Sequence, residues 1–88
     1  PTIVGAQAAN ELLNIVGVRA SIVLTEYNGR IYVSARSIDD VNVQVIMEKM
    51  GGGGHLNMAG VQLECTLVKA MQQVRDTLDC MFEKGELE

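Results

Sequence analysis

Apolar residues at Ala9, Leu12, Leu13 and Val16 keep the i, i+3, i+4, i+7 spacing of one helical face, which predicts an amphipathic helix from about Thr2 to Ile15 with Gly17 as its stop. The period then changes. Val18 to Thr25 is rich in β-branched residues and Arg30 to Ser37 is a second extended run, with Asn28-Gly29 between them. Asn-Gly tolerates the positive φ angles of a type I′ turn, so the two runs are expected to pair as an antiparallel hairpin. In the second run Ile31, Val33 and Ala35 alternate with Tyr32, Ser34 and Arg36, which gives one core face and one polar face.

Asn42 is placed to cap a second helix whose apolar stripe is Val43, Ile46, Met47 and Met50, and Gly51 is placed to end it in a left-handed conformation. Beyond the glycines, His55 or Asn57 is expected to start a short helical turn through Ala59, followed by a short strand at Val61-Gln62-Leu63-Glu64. Thr66 reads as the cap of a last helix with Leu67, Met71, Val74, Leu78 and Met81 inward and Lys69, Gln72, Arg75, Asp76 and Asp79 outward, ending near Gly85. The predicted class is α/β (α+β): a small mixed three-stranded sheet covered by helices, in the order α-β-β-α-(short α)-β-α.

Composition narrows this picture. A chain of 88 residues, 48% hydrophobic and 20% charged, supports one domain with one modest core, taken as residues 1–86, while Leu87-Glu88 reads as a remnant of a tag. With no Trp, that core is built from Val, Ile, Leu, Met and Ala. Seven Lys and Arg against eleven Asp and Glu, a net charge of -4, exclude general electrostatic attachment to nucleic acid or anionic lipid, so any phosphate binding has to be local. Cys65 and Cys80 lie in no C-x-x-C setting and read as reduced, half-buried residues of a cytoplasmic protein. Neither a signal peptide nor a membrane span is visible, and a start at Pro1-Thr2 suggests a domain excised from a longer protein.

The unusual feature is Gly51-Gly52-Gly53-Gly54 directly before the sole histidine, His55. Glycine loses the most conformational freedom on folding, so such a run is costly filler. Bare backbone lets a ligand approach the peptide N–H groups, which is the geometry of a phosphate cradle; the same composition also serves a hinge. An imidazole at the mouth of the loop can donate to a phosphate oxygen, although a lone histidine is more often structural. Arg36, flanked by Ser34 and Ser37 at a strand exit, presents a guanidinium fork and two hydroxyls suited to a phosphate or sugar. The competing reading pairs Arg36 with Asp39 or Asp40. No spacing of acids, histidine and cysteines makes a metal site, and no nucleophile has an obvious base, so no catalytic residue is assigned.

V-S-A-R-S at 33–37, N-V at 42–43 and G-G-G-G-H at 51–55 resemble the DHH-associated C-terminal domain of DHH-family phosphoesterases. The longer stretch S-A-R-S-x-x-D-V-N-V-Q-V-I-M-E-x-M-G-G-G-G-H-L is most similar to the membrane-anchored cyclic di-AMP phosphodiesterases. The resemblance implies a substrate-binding domain, inactive in isolation, in which Gly52, Gly53, Gly54 and His55 form the phosphate loop and Ser34, Arg36 and Ser37 support the substrate. It also implies a preceding DHH domain of the same chain that holds manganese and hydrolyses cyclic di-AMP to a linear dinucleotide, with no cofactor in the present residues. The expected partners are a cyclic dinucleotide or short oligonucleotide phosphate, that DHH domain and, as an open question, a second copy of the chain; the expected location is a cytoplasmic domain of a membrane-anchored parent. Alternatives are the same domain of an oligoribonuclease or phosphoadenosine phosphatase, or a non-catalytic RNA-binding or dimerisation module. The family pattern is left at Met58-Ala59-Gly60, where small residues, often two adjacent alanines, are usual.

Overall fold

The computed structural model describes residues 2–86; Pro1, Leu87 and Glu88, with the reading of the last two as a tag remnant, lie outside the described residues. The hairpin forms as its turn chemistry requires: β1 (Ala20–Tyr27) pairs antiparallel with β2 (Arg30–Ser37), and both turn residues take positive φ, 51° at Asn28 and 75° at Gly29. Helix α1 (Thr2–Leu12) precedes the hairpin, and α2 (Val43–Lys49), β3 (Gly53–His55), β4 (Met58–Leu63) and α3 (Leu67–Glu83) follow. The side-chain oxygens of Asn42 and Thr66 cap α2 and α3 by accepting from the N–H groups of Val45 and Lys69.

The sheet corrects the sequence reading in three ways. It has four strands instead of three, ordered β1-β2-β4-β3, and every pairing is antiparallel, so it is not mixed. The residues read as a short helical turn, His55 to Ala59, instead close a second hairpin around Leu56-Asn57. Glycine has low β propensity, so β3 carries no strand signal of its own; its pairing with β4 depends on tertiary approach. A methyl group on Gly54 would lie 2.5 Å from the Ala59 Cα and from the Met58 carbonyl oxygen, so only a residue without a side chain allows this contact.

The core occupies one face. Ile31, Val33 and Ala35 of β2 and Ala59 of β4 meet Val43, Ile46, Met47 and Met50 from α2 and its C-cap, together with Ala70, Val74 and Met81 of α3. The inward face of α3 is therefore rotated from the predicted stripe: Ala70 is buried, whereas Leu67 and Met71 are exposed. Helix α1 lies on the opposite, polar face against β1 and β2. It too departs from its predicted stripe, since Val16 lies beyond the helix and is 99% exposed, while among the described side chains of α1 the small Gly5 and Ala9 are the buried ones. Ala9 is buried with its carbonyl accepting from the Ser21 hydroxyl at 2.7 Å, and Gly5 sits directly over Thr25 and Ser34.

Candidate functional site

Residues paired across antiparallel strands share a face, so the polar face can be laid out row by row. The first row is Arg36 on β2, Met58 on β4 and His55 on β3; the second is Ser34, Gly60 and Gly53; the third is Tyr32 and Gln62. Helix α1 covers only part of this face, and beside it these rows line an open cleft of about 610 Å³ with Ala6 at its border. Among the described residues its lining contains one cation, Arg36, the single histidine and no carboxylate. Two smaller, mainly apolar clefts also lack acids among their described lining, one beside Arg75 on α3 and one between β1 and Phe82 of α3; the cleft on the polar face differs in bringing Arg36, His55 and the glycine strand together.

A second cleft of the same volume, at the opposite end of the sheet, lacks that character. Glu26 and Glu64 line it beside Arg30 and Lys69, and Arg30 already faces Glu64 at 3.6 Å.

Arg36 is half-buried. One of its terminal nitrogens donates to the Ala35 carbonyl at 2.9 Å, while its Nε–H is buried without a partner. The ion pair with Asp39 or Asp40 considered from sequence does not form: Asp40 is held by Arg19 at 2.8 Å, and among the described residues no carboxylate bridges Arg36. A buried donor without an acceptor is costly, so the Arg36 guanidinium keeps unmet hydrogen-bonding capacity beside the cleft.

The structure thus gathers Ser34, Arg36, Gly53, Gly54 and His55 around one cleft. Ser34 is nearly buried at its floor, and His55 stands exposed on the edge strand. A two-residue loop makes His55 and Met58 a hydrogen-bonded pair, and ladder alternation then turns the Gly54 N–H outward at the free edge of β3.

Two further candidates lie elsewhere. The Gly52 N–H donates to the Met47 carbonyl at 2.8 Å and the Gly51 N–H to the Glu48 carbonyl at 3.1 Å, a Schellman closure of α2 with Gly51 at φ 94°. Ser37 points to the opposite face, where its buried hydroxyl donates to the Val41 carbonyl and accepts from Asn57 Nδ2 at 2.9 Å. Gly52 shapes the site through its backbone N–H and Ser37 through its hydroxyl, and neither lines the cleft.

Asn57, read from sequence only as a candidate start of a short helical turn, anchors the hairpin instead. Its amide also donates to the Asp39 carbonyl at 3.2 Å, while the Ser37 and Val43 N–H groups donate to the carbonyls of Asn57 and Leu56. The tip of the β3–β4 hairpin, and with it His55, is thereby tied to β2 and α2. Tyr32 and Gln62 were missed as cleft residues, although their positions on alternating strands already set them on the polar face.

The family model described as the DHHA1 domain matches residues 3–84. The chain belongs to the DHHA1 domain family. Among curated proteins it is 49% identical over 83 residues to the cyclic-di-AMP phosphodiesterase GdpP of Geobacillus thermodenitrificans, covering 92% of this chain and 13% of that protein. It is 46% identical over 87 residues to the cyclic-di-AMP phosphodiesterase PdeA of Listeria monocytogenes, covering 97% of this chain and 13% of that protein. The chain therefore corresponds to a small part of each relative's length. Among solved structures, an exopolyphosphatase-related protein from Bacteroides fragilis superposes with a TM-score of 0.77 at 28% identity, over 83% of this chain and 22% of that one.

Among the described residues no three His, Cys, Asp or Glu side chains gather where they could hold a metal ion, so these residues do not fit a manganese site. No described helix is long and apolar enough to cross a membrane.

Proposed function

We propose that this DHHA1 domain grips the phosphate of a dinucleotide substrate for a DHH phosphodiesterase domain of the same, longer protein, and that the substrate is cyclic di-AMP. The observation that carries the reading is the convergence of Arg36, Gly53, Gly54 and His55 on one cleft with no carboxylate among its described lining residues. On this reading the Arg36 guanidinium donates to phosphate oxygens, while Gly53 and Gly54 let the phosphate approach the sheet edge and the outward Gly54 N–H. The His55 imidazole donates from the edge strand, and the Ser34 hydroxyl lies on the floor beneath the sugar or phosphate. The bond-breaking chemistry and its manganese belong to the DHH domain, and the parent protein is anchored in the cell membrane with this domain on the cytoplasmic side.

Identities of 49% and 46% to two proteins named as cyclic-di-AMP phosphodiesterases, against 28% to one named as exopolyphosphatase-related, favour the cyclic dinucleotide over other phosphate esters. An RNA-binding module fits less well, because seven basic residues against eleven acidic ones supply no basic surface.

Steady-state kinetics of the full-length protein test the assignment. Arg36→Ala and His55→Ala each remove a donor to the substrate, worth about 1.5–3 kcal/mol when charge-assisted. The expected loss in kcat/KM is roughly ten- to more than a hundredfold, with thermal unfolding nearly unchanged because neither residue belongs to the core. Activity within twofold of wild type for both variants would refute the site, and activity falling only in step with stability would assign both residues a structural role.

A further inference from the structure

Tyr32 and Gln62 line the cleft but have no place in the phosphate contacts. They stand directly opposite each other across the β2–β4 ladder, two rows from the pair Arg36 and Met58. At about 3.4 Å per residue, four residues of β2 separate the backbone of Tyr32 from that of Arg36 by about 14 Å. The row between them, Ser34, Gly60 and Gly53, is made only of small residues. A phosphate held at Arg36 leaves most of this trough empty, whereas an extended nucleotide lays its sugar over the small-residue row and its base at the far end.

What waits at that end is chemically specific. Of the three aromatic residues in the chain, only Tyr32 lines the cleft; Tyr27 is exposed at the end of β1 and Phe82 lies on α3, across the sheet. Tyr32 is partly buried and Gln62 is exposed, and among the described residues neither side chain takes part in a hydrogen bond within the protein. A ring of this kind offers a stacking surface, and a primary amide offers one donor beside one acceptor. Adenine presents the complement of that pair at N6 and N7, whereas guanine presents two acceptors at O6 and N7.

We infer that Tyr32 and Gln62 form a nucleobase subsite continuous with the phosphate site, with Tyr32 stacking on the base and Gln62 favouring adenine over guanine. The inference rests on the phosphate reading above, and ribose 5-phosphate, which carries phosphate and sugar without a base, separates the two. Amide chemical shifts of the ¹⁵N-labelled chain are followed while ribose 5-phosphate, AMP or GMP is added.

Wild type should bind AMP about five- to a hundredfold more tightly than ribose 5-phosphate, the range expected for one stacked base, and more tightly than GMP. Tyr32→Leu should bring AMP down to the affinity of ribose 5-phosphate while leaving the latter unchanged. Tyr32→Phe should keep AMP within about threefold of wild type, and Gln62→Ala should equalise AMP and GMP. Equal affinities of wild type for AMP and ribose 5-phosphate would overturn the base subsite and leave the phosphate site standing. Loss of ribose 5-phosphate binding in Tyr32→Leu would show that Tyr32 only supports the fold of the cleft. Absence of saturable shifts with either phosphate would overturn both readings together.

Discussion

A methyl group at Gly53 meets nothing within 4 Å, whereas one at Gly52 would overlap the Gly60 carbonyl oxygen and come within 2.6 Å of the Val61 Cβ. Gly54 combines a similar overlap with a φ of 144°, a conformation that side-chain-bearing residues rarely adopt. Glycines adjacent in sequence therefore do different work: Gly52 and Gly54 hold the edge strand against β4, and Gly53 keeps the cleft open. Gly54→Ala is expected to cost about 3 kcal/mol or more of stability through strain and overlap. Gly53→Ala should leave stability within about 0.5 kcal/mol, yet weaken phosphate binding about tenfold by placing its methyl in the cleft. Thermal unfolding and ligand titration of the two variants check this; a destabilised Gly53→Ala with normal affinity would mean that Gly53 serves only the fold.

The β3–β4 hairpin is the element on which the site depends, and it was the least legible from sequence. The β1–β2 hairpin could be read because Asn28-Gly29 and two alternating runs specify it locally. The stripe of α2 was equally plain, since Val43, Ile46, Met47 and Met50 are all buried as their spacing implied. Strand β3 has no such signal: its glycines become a strand only when β4 and α2 are in place. For the site, Arg36 and His55 stood out by residue type and position, and the alternation that put Arg36 on the polar face also put Ser34 there. The same parity places Ser37 with Ile31, Val33 and Ala35, on the core side. Ser37→Ala should therefore remove a buried hydrogen bond and cost about 1–3 kcal/mol, lowering Tm by at least about 4 °C in a domain of this size, with ligand affinity within about threefold of wild type. Ser34→Ala should do the reverse, weakening binding with a smaller effect on Tm. Loss of affinity at unchanged Tm in Ser37→Ala would return that serine to the substrate contacts.

At the scale of the whole molecule, an acidic chain sets Arg36, His55 and its glycine strand around one cleft whose described lining holds no carboxylate. Arg19, Arg30 and Lys49 are each engaged by an acid, at Asp40, Glu64 and Glu86; among the described residues Arg36, Lys69, Arg75 and Lys84 make no salt bridge, and of these four Arg36 is the one that lines the cleft with the glycine strand and His55. The sheet supplies the rigid platform, α1 closes one side, and α2 with the Ser37–Asn57 network holds the glycine hairpin in register. On the proposed function this cleft, and not the rest of the surface, receives the substrate. Adding cyclic di-AMP to the ¹⁵N-labelled chain tests it most directly, by the residues whose amide signals move. Weak, saturable shifts concentrated on Gly53, Gly54, His55, Ser34 and Arg36 are expected. Shifts centred instead on α3 around Arg75, or on the second cleft at Arg30 and Lys69, would contradict it.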